Sequence, residues 1–189
     1  MMISIDTASG WVREALQQPS PNCDEWPPGC EPELIVVHGI SLPPGEFGGP
    51  WIDQLFCNRL DVSAHPYFAG IADLCVSSHL LVRRDGALVQ YVPLTRRAWH
   101  AGVSSFRGRA GCNDFSIGIE LEGADDVPYD NAQYRTLASL INAMRAAVPS
   151  LESAPVVGHS DIAPGRKTDP GPAFDWSHLT RLLKEQREV

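Results

Sequence analysis

A chain of 189 residues is long enough for one substantial core, and 43% hydrophobic with 20% charged residues is the balance of an ordinary globular domain. A net charge of −8 argues against a broad basic face for nucleic acid. No apolar run approaches the roughly 18–20 residues of a membrane span, and Met1-Met2-Ile3-Ser4-Ile5-Asp6 lacks the basic and apolar regions of a secretory signal, so a cytoplasmic protein is expected.

The five cysteines, 23, 30, 57, 75 and 112, are odd in number and widely spaced, which favours free thiols over a disulfide framework. Cys23 and Cys30, with His38 beyond them, are conceivable metal ligands, but no C-x-x-C pair is present and the intervening prolines fit a loop better. Charge is unevenly placed: 83–109 holds six arginines and one acid, about +5, leaving about −13 elsewhere. Such a segment suits a solvated face or recognition of a small carboxylate-bearing ligand.

Along the chain, prolines 19, 21, 27, 28 and 32 interrupt residues 1–32, predicting an irregular arm packed on the domain, with a brief helix over Trp11–Gln17. Leu34-Ile35-Val36-Val37 reads as a strand buried on both faces and closed by His38, where α/β sheets present functional groups. Helical spacing of Trp51, Ile52, Leu55 and Phe56 predicts a helix from about 50 to 58. His79–Arg83 and Ala87–Val92 flank Arg84-Asp85-Gly86, a hairpin signal, and a loop follows at Trp99-His100-Ala101-Gly102.

Ser116–Glu122 alternates strictly, with Ile117, Ile119 and Leu121 on one face and Ser116, Gly118, Glu120 and Glu122 on the other. Periodicity does not separate Glu120 from Glu122, and a small residue at 118 leaves room beside Glu120. Asp130-Asn131-Ala132-Gln133 resembles a capping box opening a helix that Pro149 stops. Asp175 or Ser177 can cap a short last helix bearing Leu179, Leu182 and Leu183. The pattern predicts one domain, 1–189, of mixed α/β class: a central mixed sheet with helices on both faces.

The stretch 158–171 is barred from regular helix by Pro164, Pro170 and three glycines, yet it holds His159, Asp161, Arg166, Lys167 and Asp169. A catalytic zinc takes three protein ligands and leaves a position for water. His38, His159 and one aspartate of this loop would supply them, at or near strand ends. Glu120 could then take a proton from that water, and Lys167 could steady a developing oxyanion.

Six ordered stretches carry a resemblance: 34–38, 40–48, 82–86, 97–104, 112–123 and 158–171. They resemble the AmpD family of cytoplasmic zinc amidases acting on 1,6-anhydro-N-acetylmuramyl-L-alanine peptides, within a larger amidase and peptidoglycan-recognition superfamily. The resemblance implies His38, His159 and Asp169 as zinc ligands, Glu120 as general base, and Lys167 as the stabiliser of the tetrahedral intermediate. It implies a small muropeptide substrate, cut between the muramic lactyl group and L-alanine, with Trp99 against it. His100 is a further candidate substrate contact, and His65, His79, His100 and His178 are not metal ligands. Three positions depart from the family pattern: Gly39 where asparagine is common, and Cys75 and Gly111 where some members carry arginine. Arg107 and Arg109 are then the candidates for stem-peptide carboxylates. A non-catalytic muropeptide-binding module and an amidase of polymeric peptidoglycan are the alternatives.

Overall fold

The computed structural model describes residues 2–186 of the chain. Its proline-rich start forms only short strands: β1 (Ile5–Asp6) pairs antiparallel with β2 (Trp11–Val12), and β3 (Leu16–Gln17) and β4 (Cys23–Glu25) follow. The helix expected over Trp11–Gln17 is thus replaced by β2 and β3. Buried Gln90 is the local reason. Its side-chain oxygen accepts from Val12 N at 2.7 Å and its amide donates to Gly10 O at 2.9 Å, so tertiary partners satisfy the backbone here. The arm is also more regular than expected, because β3 extends the main sheet beside a distant strand.

The order continues through β5 (Leu34–Ile40), α1 (Trp51–Phe56), β6 (Leu80–Val82), β7 (Leu88–Gln90), β8 (Arg96–Ala98), β9 (Ser105–Phe106) and β10 (Arg109–Ala110). Then come β11 (Ser116–Glu122), α2 (Asn131–Ala147), β12 (Val156–Gly158), α3 (His159–Ile162) and α4 (Trp176–Glu185). The main sheet has the order β12-β5-β11-β6-β7-β3, with β12, β5, β11 and β6 parallel and β7 antiparallel to β6. It is a mixed α+β architecture, as the alternating pattern predicts.

One sheet face presents Ile35, Val37, Ile117, Ile119 and Leu121 to α2 and α4, burying Leu137, Ile141, Met144 and Leu179 with them. On the other face Leu34 and Val36 pack with Ala101, Phe115 and Ile162, while Leu81 and Val89 meet Ile52, Leu55 and Phe56 of α1. Side chains alternate along a strand, so His38 and Glu120, register partners on β5 and β11, share the face away from α2.

The hairpin forms where Asp85-Gly86 predicts it: Gly86 sits at φ +86°, and Ala87 N donates to Asp85 Oδ1 at 2.9 Å. Asp130 N donates to Gln133 Oε1 at 3.0 Å at the start of α2, and Asp175 accepts from His178 N at 2.8 Å at the start of α4. Two expectations need correction. β5 does not close at His38 but runs on to Ile40, held by pairing with β11 along its whole length. The 158–171 stretch does contain helix, the single turn α3, completed before Pro164 with Asp161 Oδ2 accepting from Gly158 N at 2.7 Å. Among the described residues no helix is long and apolar enough to cross a membrane, and all five cysteines are free thiols.

Candidate active site

Three elements deliver three donors to one point. His38 rises from the middle of the sheet on β5, and His159 opens α3 directly after β12, which pairs with β5. Asp169 returns from the following loop, which is tied back by Ser160 N donating to Asp169 O at 3.0 Å and Gly171 N to Thr168 O at 3.0 Å. Gly171, at φ +80°, presses so close to Asp125 that an added Cβ would lie 2.3 Å from its Cα. Only glycine fits that turn.

His38 Nδ1 lies 2.9 Å from His159 Nδ1 and 3.5 Å from Asp169 Oδ2, and His159 Nδ1 lies 3.0 Å from that same oxygen. Among the described residues this is the one cluster of three or more His, Cys, Asp or Glu donors, so Cys23 and Cys30 do not form one with His38. Burial pushes the Asp169 carboxyl up, but the imidazoles of His159 and His38 outweigh it and hold the group well below the usual carboxylate range. Burial also pushes His38 down to about 4, so that ring is neutral near pH 7.

The donor set fits a metal ion. His159 Nε2 faces the Ala101 carbonyl at 3.3 Å, which only accepts, and Arg166 Nη2 at 3.4 Å, which only donates and is already bonded to that carbonyl at 2.6 Å; a proton on Nε2 serves the carbonyl. The Nδ1 lone pair is then bare and directed at Asp169, an ionised carboxylate. A cation is what such a set of acceptors lacks. In a tetrahedral ion with bonds of roughly 2.0–2.1 Å, neighbouring ligand atoms stand about 3.3 Å apart, close to the spacings here.

Glu120 lies beside His38, only 8% exposed. Its Oε2 has no hydrogen-bond partner among the described residues although it is buried. Burial raises this carboxyl well above its usual range, the charge of Asp169 raises it further, and Lys167 opposes both. Lys167 and Glu120 line the same cavity of about 700 Å³, together with Asp169, His159 and the 39–45 segment. Among the described residues, none of the N-terminal arm lines it. A buried carboxylate with a free oxygen, a cationic side chain and an open donor triad in one cleft is an arrangement suited to hydrolysis.

The other expected site residues divide. His100 lines the cavity and places Nδ1 2.9 Å from His38 Nε2, behind that ring. Trp99, Arg107 and Arg109 are not among the residues of the cavity wall. Trp99 is bonded to Asp24, Arg107 covers the Phe106 ring, and Arg109 pairs with Glu33 while lying over Phe115. His79 bonds Gly118 N and Arg96 O, while His65 and His178 bond near helix starts, so none of the three joins the triad.

Two residues that sequence reasoning missed, Asn113 and Tyr129, shape the site, together with Arg166 of the 158–171 stretch. Asn113 Oδ1 accepts from His100 N at 3.0 Å and Ala101 N at 2.8 Å, fixing the loop behind both histidines. Arg166 Nη2 donates to Ala101 O at 2.6 Å, clamping that loop to α3. Tyr129 donates to Pro170 O at 3.0 Å, and an added Cβ on Gly39 would come within 2.4 Å of its hydroxyl. The departure at Gly39 thus leaves room for the tyrosine. Gly111 sits at φ +73°, a conformation that an arginine would adopt only with strain. Asn113 lies in a stretch the sequence singles out, but nothing local marks Tyr129.

Comparison with known proteins agrees with this geometry. Residues 28–172 match the N-acetylmuramoyl-L-alanine amidase family. The 1,6-anhydro-N-acetylmuramyl-L-alanine amidase AmpD of Citrobacter freundii is 59% identical over 174 residues, 92% of each chain. The crystal structure of a selenomethionine AmpD derivative superposes with TM-score 0.90 at 58% identity, covering 95% of this chain and 98% of that one. More distant is the amidase AmiD of Escherichia coli, solved in complex with the substrate anhydro-N-acetylmuramic acid-L-Ala-D-gamma-Glu-L-Lys. It matches with TM-score 0.55 at 30% identity, over 95% of this chain and 65% of that one. The chain belongs to the N-acetylmuramoyl-L-alanine amidase family.

Proposed function

We propose that this chain, acting as one unit over 1–189, is a zinc-dependent amidase of cytoplasmic muropeptide recycling. It hydrolyses the amide between the lactyl group of 1,6-anhydro-N-acetylmuramic acid and L-alanine of a small soluble muropeptide. The observation that carries this reading is the open triad of His38, His159 and Asp169 beside the unpartnered buried oxygen of Glu120. The relatives' substrates agree with it.

His38 Nδ1, His159 Nδ1 and Asp169 Oδ2 would hold the zinc. Bound there, zinc supplies electrophilic polarisation of the carbonyl and lowers the pKa of a water toward about 7. Glu120 Oε2 accepts the proton that the water loses as it attacks, and later delivers it to the departing alanine nitrogen. Burial raises the carboxyl and so makes it a stronger proton acceptor than a solvated glutamate. Lys167, exposed at the cavity wall, carries the positive charge that faces the oxyanion. Arg166 and Asp161 brace the loop that carries Lys167 and Asp169.

Mass spectrometry of the products from a defined anhydro-muramyl tripeptide, with and without chelator, tests the reading. Free tripeptide and anhydro-N-acetylmuramic acid should form, and chelator should abolish them. No cleavage, with no stoichiometric zinc, would make the chain a muropeptide-binding module instead. Faster digestion of intact sacculi than of the soluble substrate would make it an amidase of the polymer.

A further inference from the structure

We propose that His100 is a positioning residue that selects the metal-accepting tautomer of His38, through a hydrogen-bond relay ending at Ser116 and the Cys112 carbonyl. The inference rests on the zinc reading of the triad but concerns a residue outside it.

The two histidine ligands face an unequal problem. His159 Nε2 has an acceptor-only partner in the Ala101 carbonyl at 3.3 Å, although Arg166 Nη2, a donor, stands at 3.4 Å, and a proton on Nε2 leaves its Nδ1 open. His38 Nε2 instead meets another imidazole, His100 Nδ1, at 2.9 Å. An imidazole nitrogen can donate or accept, so this contact alone leaves His38 free to hold its proton on either side. The choice has consequences. With the proton on Nδ1, His38 would donate across 2.9 Å to His159 Nδ1, and the two ligands would satisfy each other. With the proton on Nε2, both Nδ1 lone pairs stay open to a metal.

The next link decides. His100 Nε2 lies 3.3 Å from the Ser116 carbonyl and 3.3 Å from Ser116 Oγ. Ser116 Oγ spends its own proton on the Cys112 carbonyl at 2.5 Å, so toward His100 it too is an acceptor. His100 Nε2 therefore carries a proton. The ring is buried and no carboxylate lies among the partners of its two nitrogens, so nothing there compensates a second proton, and Nδ1 of the neutral ring bears a lone pair. That lone pair accepts from His38 Nε2–H and leaves His38 Nδ1 bare. Each proton in the series points away from the triad.

The fold makes space for this relay. His100, Gly118 and His38 lie on one face of the sheet, and a Cβ on Gly118 would stand 2.4 Å from the His100 ring. Glycine at 118 is thus what admits the imidazole between Ser116 and His38. Asn113, holding the His100 backbone, fixes its approach.

Zinc affinity of the full chain, read by chelator competition, tests the proposal on two variants. His100→Leu keeps apolar bulk but offers no acceptor, and should weaken zinc binding by about 10–100-fold. His100→Asn is smaller but presents an amide oxygen to His38 Nε2, and should stay within about tenfold of the parent. Packing alone predicts the reverse ranking. Equal losses in both variants, or parental affinity in His100→Leu, would overturn the relay. Should the leucine variant fail to fold, nitrogen-15 NMR of the parent chain stripped of metal decides independently. Protons on Nε2 of both His38 and His100 are expected, and a proton on His38 Nδ1 would refute the idea. A parent chain that binds no zinc but shows those tautomers would sink the metal assignment and leave the relay standing.

Discussion

Two buried carboxylates lie two residues apart on one face of β11, and their surroundings differ in kind. Glu122 is fully engaged: Oε1 accepts from Gly48 N at 2.7 Å and Arg83 Nη1 at 3.2 Å, and Oε2 from Arg84 N at 3.2 Å. Arg83 also pairs with Asp53 at 2.8 Å, and Asp53 takes the Tyr91 hydroxyl on its other oxygen. Glu120, also buried at 8% exposure against 2% for Glu122, has an oxygen that no described residue satisfies. A buried charge that is saturated ties elements together, here the 43–50 loop to β11 and the hairpin. One left open has a substrate or a solvent molecule as its partner.

The contrast is tested most severely at the donors beside Glu120. His38→Ala or Asp169→Ala should lose metal and activity together, because two donors do not hold a catalytic zinc at ordinary free-metal levels. Elemental analysis and product assay on the same sample check this. Full zinc occupancy in either variant would move the metal site elsewhere.

Glu120→Gln comes next. It should retain zinc while kcat falls by about 10²–10⁴, the usual range for a general base. Burial and the charge of Asp169 raise the Glu120 carboxyl, so it protonates at a higher pH than a solvated glutamate. A general base works ionised, so kcat/KM should fall as pH drops through that titration, and the residual activity of Glu120→Gln should lack that acid limb. Loss of zinc in this variant would recast Glu120 as part of the metal-binding set.

Glu122→Gln should do the opposite. It removes the carboxylate that faces Arg83 while keeping an acceptor, and Asp53 still neutralises Arg83. A stability loss of about 1–3 kcal/mol is expected, seen as a lower denaturation midpoint, with kcat of the folded protein unchanged. A hundredfold fall in kcat without a change in stability would mean that the two carboxylates share the chemistry.

Neither the two-residue period of β11 nor its composition could distinguish these acids, because both fall on the same face. What separates them is Arg83, Gly48 and Arg84, all distant in sequence. The same limit applies to the triad. His38 and His159 each follow a legible apolar run, but their convergence depends on β12 and β11 flanking β5, which spacing does not encode. The AmpD resemblance supplied that convergence as an expectation. β5, β11, the Asp85-Gly86 hairpin and α2 were legible because local pattern and tertiary burial agree there. Trp11–Gln17 was not, since Gln90 captures its backbone. Nor was α3, a single turn completed just ahead of Pro164.

The smallest effect is expected where the sequence expectation and the structure part company. Arg109 was a candidate for a stem-peptide carboxylate, yet its guanidinium pairs with Glu33, and their side chains are 44% and 56% exposed. Ion pairs in water contribute little, so Arg109→Ala should shift stability by no more than about 1 kcal/mol. It should also leave KM for the tripeptide substrate unchanged, since Arg109 is absent from the cavity wall while Lys167 and Arg166 belong to it. A tenfold rise in KM with kcat intact would instead mean that the 105–110 ribbon swings toward bound substrate, and that Glu33 only holds the arginine between turnovers.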